Sequence, residues 1–145
     1  MARPQDYRDL IVWQRAMALA RSAYAATAKL PKGEAFGLLA QIRRAAVSIP
    51  SNIAEGHGRL TDLQFRHFLG NARGSVYELR TQFELAADLG YLDREPVQQL
   101  MQQSAEVTRL LNGLISSLGS HPGDQARISS ADSANSASSA LKGLH

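Results

Sequence analysis

Residues 41–56, QIRRAAVSIPSNIAEG, decide the fold of this chain. Leu38, Ile42, Ala45, Ile49 and Ile53 recur at intervals of three and four, which lays apolar side chains along one face of an α-helix. Pro50 falls inside that pattern. Proline lacks an N–H, and its ring crowds the carbonyl four residues back, that of Ala46, at a cost of ~3 kcal/mol in an ordinary helix interior. Ser48, Ser51 and Asn52 surround it, and their side chains can satisfy backbone groups that a kink releases. Gly56 ends the segment and suits a left-handed position just past a helix. A broken local rule inside a strong pattern marks a place under structural or functional constraint.

The same periodicity predicts three more helices on either side. The first covers about residues 9–29, with Val12, Ala16, Leu19, Ala23 and Leu30 on one face and Trp13, Met17, Ala20 and Tyr24 widening the stripe. Leu30-Pro31-Lys32-Gly33 ends it, because the residue before proline disfavours helix. The second runs from about Glu34 to Glu55, and residues 56–59 turn the chain. The third starts at Thr61 as N-cap, with Gln64 three residues on in a capping-box pattern, and stops at Gly90. The fourth opens at Asp93 with Pro96 in its first turn, carries Val97, Leu100, Val107, Leu111, Leu114 and Leu118 inward, and closes at Gly119. No strand pattern and no internal repeat occur. The short connections predict an all-α, antiparallel up-and-down four-helix bundle over residues 1–119. Residues 120–145 are rich in Ser and Ala and poor in large apolar side chains, so they are expected to form a disordered tail.

Composition narrows the chemistry. The 145 residues include no cysteine, which excludes disulfides, thiolate nucleophiles and zinc–thiolate sites. No apolar run approaches the ~20 residues that span a bilayer. The opening MARPQDYRDL mixes charges and lacks the apolar core of a secretory signal. A cytoplasmic protein with no membrane contact is expected. The net charge of +3 is unevenly spread. Residues 41–80 hold six arginines against Glu55, Asp62 and Glu78, whereas residues 81–118 hold Arg94 and Arg109 against five acids. A basic half suits a polyanion or an acidic protein, or else pairs with the acidic helix of the same or a neighbouring chain.

The third helix concentrates the question. Phe65, Ala72, Leu79 and Ala86 form one apolar row, and Leu69, Val76 and Phe83 the other. Arg66, Arg73 and Arg80 follow the first row by one residue. A heptad drifts only ~20° on a straight helix, so the three share one edge. Arg59 continues the spacing ahead of the helix, and Arg43 and Arg44 add charge from the preceding one. Two readings stand: pairing with carboxylates of an adjacent helix, or a ladder for phosphates, which suits the planar and permanently charged guanidinium. Gly70 and Gly74 each cost ~1 kcal/mol relative to Ala inside a helix. Close approach of another helix, from the same bundle or a partner subunit, is the expected return, with an RNA backbone as the alternative.

Catalytic patterns are missing. The four histidines show no metal-ligand spacing, and Glu55 and His57 straddle a glycine turn that reads as solvated. Gly56-x-Gly58 lacks a third glycine and follows a helix, not a strand. Ser48, Ser51 and Ser75 have no evident base, and no nucleophile-elbow motif occurs. No catalytic residue, metal or cofactor is expected.

Three blocks of sequence together carry a family resemblance. They are Asp9-Leu10 with Val12-Trp13 and Ala16; then QIRRAAVSIPSNIAEG; then Phe65 through Ala86, ending in Leu89-Gly90-Tyr91-Leu92. Over about residues 7–118 the chain resembles the four-helix-bundle proteins encoded by intervening sequences of bacterial 23S ribosomal RNA genes. That resemblance implies a non-enzymatic homopentamer. It also implies kinship with the accessory protein of diversity-generating retroelements, a basic barrel that binds nucleic acid and a reverse transcriptase. The motif residues it singles out are Trp13, Pro50, Ser51, Asn52, Glu55, Gly56 and Gly74.

The expected function is therefore an oligomeric protein that binds structured RNA or other nucleic acid, with Arg43, Arg44, Arg59, Arg66, Arg73 and Arg80 as candidate contacts. Itself, RNA or DNA, and a reverse-transcriptase-like protein are the expected partners. Few aromatic platforms are evident, so backbone and shape recognition fit better than base reading. The alternative is a protein-interaction scaffold whose arginine face makes subunit or partner contacts.

Overall fold

An apolar stripe on a helix must find cover, and here four stripes cover one another. The computed structural model describes residues 4–34 and 36–119. They form α1 (Ile11–Thr27), α2 (Leu38–His57), α3 (Asp62–Asp88) and α4 (Arg94–Leu118), with short 3-10 turns at Tyr7–Asp9 and Lys32–Glu34. There is no strand among the described residues. Each helix packs on the next in sequence and α1 also packs on α4, whereas among the described residues the diagonal pairs stand further apart, with fewer close backbone approaches than any neighbouring pair. The expected tail, residues 120–145, lies outside the described residues.

Both predicted rows of α3 are buried, from Phe65 to Ala86, and Ile42, Ile49 and Ile53 of α2 meet them with no exposure at all. Val12, Ala16, Leu19 and Ala23 of α1 and Val97, Leu100, Val107 and Leu111 of α4 complete the core. Leu114 and Leu118 pack only partly. Ser104 sits unexposed in the α4 stripe because its hydroxyl donates to the Met101 carbonyl at 2.8 Å, so that buried hydroxyl is paired.

Contacts between distant residues fix which ends meet. Arg43 Nε, near the start of α2, donates to Thr27 Oγ1 at the end of α1 (3.2 Å). His57 Nε2, closing α2, donates to the Pro4 carbonyl (2.6 Å). Tyr91 Oη, in the α3–α4 turn, donates to Glu34 Oε1 in the α1–α2 connection (3.1 Å). That bond to a carboxylate raises the Tyr91 pKa above the usual tyrosine value.

Several helix ends differ from the sequence reading. α1 starts at Ile11 because Asp6 caps a separate turn, accepting from the Arg8 N–H at 2.9 Å, and Leu10 is extended. The side-chain bond from Arg8 lowers the Asp6 pKa to about 2. α2 starts at Leu38, four residues later than expected. Glu34 stays outside the helix, and its Oε2 accepts from the Leu38 N–H at 3.0 Å, which satisfies one orphan donor. Thr61 and Gly90 behave as read: Thr61 Oγ1 accepts from the Gln64 N–H (3.2 Å), and Gly90 has φ 75°.

Gly56 is a correction. It lies inside α2 and is buried, and Gly90 alone has positive φ among the described residues. A Cβ at Gly56 would stand 2.6 Å from Phe68 Cβ and 3.0 Å from Phe65 Cδ1. Glycine is there so that α2 and α3 can approach closely. Gly70 and Gly74 are the reverse correction: a Cβ at either would meet nothing within 4 Å, so no helix of this bundle needs them.

The helical pattern of α2 continues through Pro50, whose ring is buried. A polar chain runs beside it. Asn52 Nδ2 donates to the Ser48 carbonyl (2.8 Å) and Ser48 Oγ (3.3 Å), Ser48 Oγ is bonded to Ser75 Oγ, and Ser75 Oγ donates to the Asn71 carbonyl (3.2 Å). Ser51 is exposed instead.

Candidate functional site

Leu63, the adjacent pair Arg66 and His67, Gly70 and Arg73 recur on α3 at steps of three and four, so they share one face. That face borders α4 near the α2–α3 turn. With Arg59 from the turn and Ile115 from α4 it encloses a groove of about 710 Å3. Each arginine is held differently. Arg59 Nη2 pairs with Glu55 Oε1 at 3.0 Å, and its guanidinium lies over the Phe68 ring, 4.7 Å from the centroid. Arg66 lies against Gly119 at the end of α4, where a Cβ would come within 3.1 Å of its Cζ. The carbonyl end of a helix attracts a cation there. Arg73 Nη1 donates to Asn112 Oδ1 of α4 at 3.0 Å.

No carboxylate lines this groove among the described residues. Arg66, Arg73 and Arg80 form no ion pair among them either. Two acids of the acidic half are taken by other arginines: Asp88 meets Arg94 (3.6 Å) and Glu106 meets Arg15 (3.1 Å).

The six candidate arginines therefore separate. Arg59, Arg66 and Arg73 converge. Arg80, half-buried, stands seven residues further along α3, beyond the groove. Arg44 is exposed on α2. Arg43 is a strut between helices: besides Thr27, it donates to the Tyr24 carbonyl (3.4 Å) and lies over the Tyr24 ring at 4.5 Å.

The motif residues lie mostly elsewhere. Trp13 of α1 and Pro50 and Ser51 of α2 line a second groove, of about 570 Å3, together with Met17, Tyr24 and Val47. Tyr7 packs edge-on against Trp13, with centroids 5.3 Å apart. Asn52 belongs to the α2–α3 polar chain, Glu55 holds Arg59, and Gly56 makes the α2–α3 contact. Gly74 faces open space.

Sequence reasoning missed Leu63, His67, Phe68 and Ile115 as groove residues. On α3 the available signal was helical spacing, with Leu63 three residues before Arg66 and His67 three before Gly70, and Phe68, two residues after Arg66, carried none. Ile115 had none, because it arrives from another helix. Among the described residues no three His, Asp or Glu side chains are placed to hold a metal ion. No helix among them is long and apolar enough to cross a membrane.

No curated protein matches this chain. A crystal structure from Bacteroides thetaiotaomicron VPI-5482, of a protein with unknown function from the S23 ribosomal protein family, is similar at 24% identity with a TM-score of 0.66. The match covers 72% of this chain and 98% of that one, and at such identity it shows a shared fold. The sequence model described as 23S rRNA-intervening sequence protein matches residues 8–113, a span from the first short turn into the last turns of α4. Neither description names an enzymatic activity. With most of its length matched, and the four helices that the match spans in place, the chain belongs to the family of 23S rRNA-intervening sequence proteins.

Proposed function

We propose that this chain is a non-enzymatic, self-assembling bundle of antiparallel helices that binds structured RNA or other nucleic acid through the α3–α4 groove. The observation that carries the reading is the convergence of Arg59, Arg66 and Arg73 on a groove lined by no carboxylate among the described residues. A guanidinium has five N–H donors, and Asn112 takes one of those of Arg73. The remainder suit phosphate oxygens, which accept bidentate bonds. The antiparallel order is supported by Arg43 meeting Thr27 and by His57 meeting Pro4.

Self-assembly draws on the other side of the bundle. Val47 is 45% exposed and Tyr24 42%, and both line the α1–α2 groove beside Trp13 and Pro50. Apolar surface of this kind, gathered in one place, marks a contact surface. In the closed ring of five that the family resemblance implies, this face meets a different patch of the neighbouring subunit, and the nucleic-acid reading requires that patch to leave the α3–α4 groove open.

The experiment is a gel-shift salt series on structured RNA and duplex DNA, run beside light scattering. Replacing Arg59, Arg66 and Arg73 together by Gln is expected to weaken binding across sequences. The slope of log affinity against log salt should flatten by about 0.7–0.9 for each phosphate that an arginine no longer neutralises. Helix content and subunit number should hold. Wild-type protein that binds neither nucleic acid, or a triple variant that binds as before while its oligomer breaks, sinks the proposal. The second outcome favours an arginine face that makes protein contacts.

A further inference from the structure

We infer that the α3–α4 groove takes an unpaired nucleotide of a bound RNA strand, with flanking phosphates on Arg66 and Arg73 and the base against the apolar floor. This rests on the nucleic-acid reading above and specifies its ligand. Three observations point to it, none of which a plain phosphate ladder requires.

The first is Gly70. It lies one turn from Arg66 and one from Arg73 on the same face, and a Cβ there would meet nothing within 4 Å. A glycine in mid-helix weakens the helix, and here no helix neighbour uses the space it leaves. That space belongs to the groove that both arginines line, between their positions on the helix. Seven residues of helix rise by ~10 Å, so the arginines can grip phosphates on either side of something flat.

The second is the floor. Leu63 is 68% exposed, and Phe68 and Ile115 are half-buried in the same groove. The outside of a duplex presents sugar and phosphate, which gain nothing from apolar side chains. A base splayed from its stack does.

The third is Arg59, whose guanidinium is layered on the Phe68 ring at 4.7 Å. A guanidinium plane backed by an aromatic ring is a platform on which bases stack. The groove volume of about 710 Å3 also exceeds what one phosphate fills and falls within the ~300–1,000 Å3 of small-ligand sites.

The test uses fluorescence anisotropy with two labelled RNA hairpins that share one stem, one fully paired and one carrying a single-nucleotide bulge. Wild-type protein is expected to prefer the bulged hairpin at least tenfold. Gly70→Leu, which fills the gap and leaves every arginine in place, should erase that preference, so that the bulged and the paired hairpin bind with equal affinity. Gly70→Ala should reduce the preference about threefold while its melting temperature holds or rises, and this keeps the test decisive if Gly70→Leu folds poorly. Equal affinity of wild-type protein for the two hairpins overturns the inference and leaves the nucleic-acid reading standing. A preference that survives both Gly70 changes also overturns it. Failure to bind either hairpin removes the nucleic-acid reading itself. Displacement of bulged RNA by an acidic helical peptide but not by a mononucleotide overturns the inference in favour of a protein ligand.

Discussion

The α1–α2 and α3–α4 grooves each lie between two packed helices on opposite sides of one core, and each has arginines close by. At the first, Arg43 is held by the Thr27 hydroxyl, the Tyr24 carbonyl and the Tyr24 ring, so its charge ties α2 to α1. At the second, Arg66 rests on the end of α4 and Arg73 touches one amide oxygen, and no carboxylate among the described residues lines the space before them. The residue type is the same, but the acceptors in reach differ. A guanidinium surrounded by protein acceptors is a brace, and one with few acceptors presents charge outward. The first groove has one arginine, the exposed Arg21, in an otherwise mostly apolar lining and suits another protein surface, whereas the second gathers three arginines and suits an anion.

The largest effect should come from exchanging these roles. Arg66→Gln with Arg73→Gln is expected to lower nucleic-acid affinity at least about a hundredfold, from two charge-assisted contacts of ~1.5–3 kcal/mol each, while thermal stability stays near wild type. Arg43→Gln should do the opposite, costing about 1 kcal/mol of stability with binding unchanged. Anisotropy and thermal melts on both variants check this, and a reversed pattern would erase the distinction between brace and contact.

Two of the three corrected glycines give the next test. Gly56→Ala pushes a Cβ into Phe68 and Phe65, and overpacking of that kind costs about 1–3 kcal/mol, or a melting temperature lower by roughly 5–15 °C. Gly74→Ala meets no neighbour and should stabilise by up to ~1 kcal/mol through helix propensity. If Gly74→Ala proves destabilising in the assembled protein, a partner subunit approaches there and the open side of α3 is an interface.

A smaller change should follow from Val47→Glu. A carboxylate placed in the α1–α2 groove is expected to weaken self-assembly about tenfold, or ~1.4 kcal/mol, through desolvation of an unpaired charge. Light scattering across a dilution series reads it. Unaltered assembly would move the subunit contact away from Trp13 and Pro50.

The smallest effect belongs to the end of the bundle remote from the basic groove. Tyr91 donates to Glu34, which also accepts from the first N–H of α2, and this bond raises the folded Tyr91 pKa above the usual value near 10.0. The bond's contribution is therefore complete below that usual value and is lost as pH rises through the higher folded value. Melting temperatures of wild type and Tyr91→Phe should differ slightly at pH 8 and converge above the folded value. A difference that persists there would mean that Tyr91 acts through packing alone.

Much of this was legible along the chain. The rows from Phe65 to Ala86 and from Leu69 to Phe83 predicted the buried face of α3 residue by residue, because burial of a helix stripe follows its period. Thr61 and Gly90 announced the ends of α3 because a cap is a contact within four residues. Glu34 misled the reading of where α2 starts, because a carboxylate can cap from outside the helix as well as begin it. The arginine edge was visible as a spacing, and its membership in a groove was not.

Sequence by itself determined four helices, the faces they bury, and a family match over residues 8–113, since those rest on local periodicity and on side-chain types in order. Only the tertiary structure decided that Gly56 is a packing glycine and Gly70 an open one, and that Arg43 is spent on α1 while Arg66 and Arg73 border a groove. Those outcomes depend on Phe68, Thr27, Asn112 and Gly119, each brought close by a neighbouring helix. What a side chain is free to do is set by the acceptors and atoms that packing places around it, and no spacing along one helix contains that information.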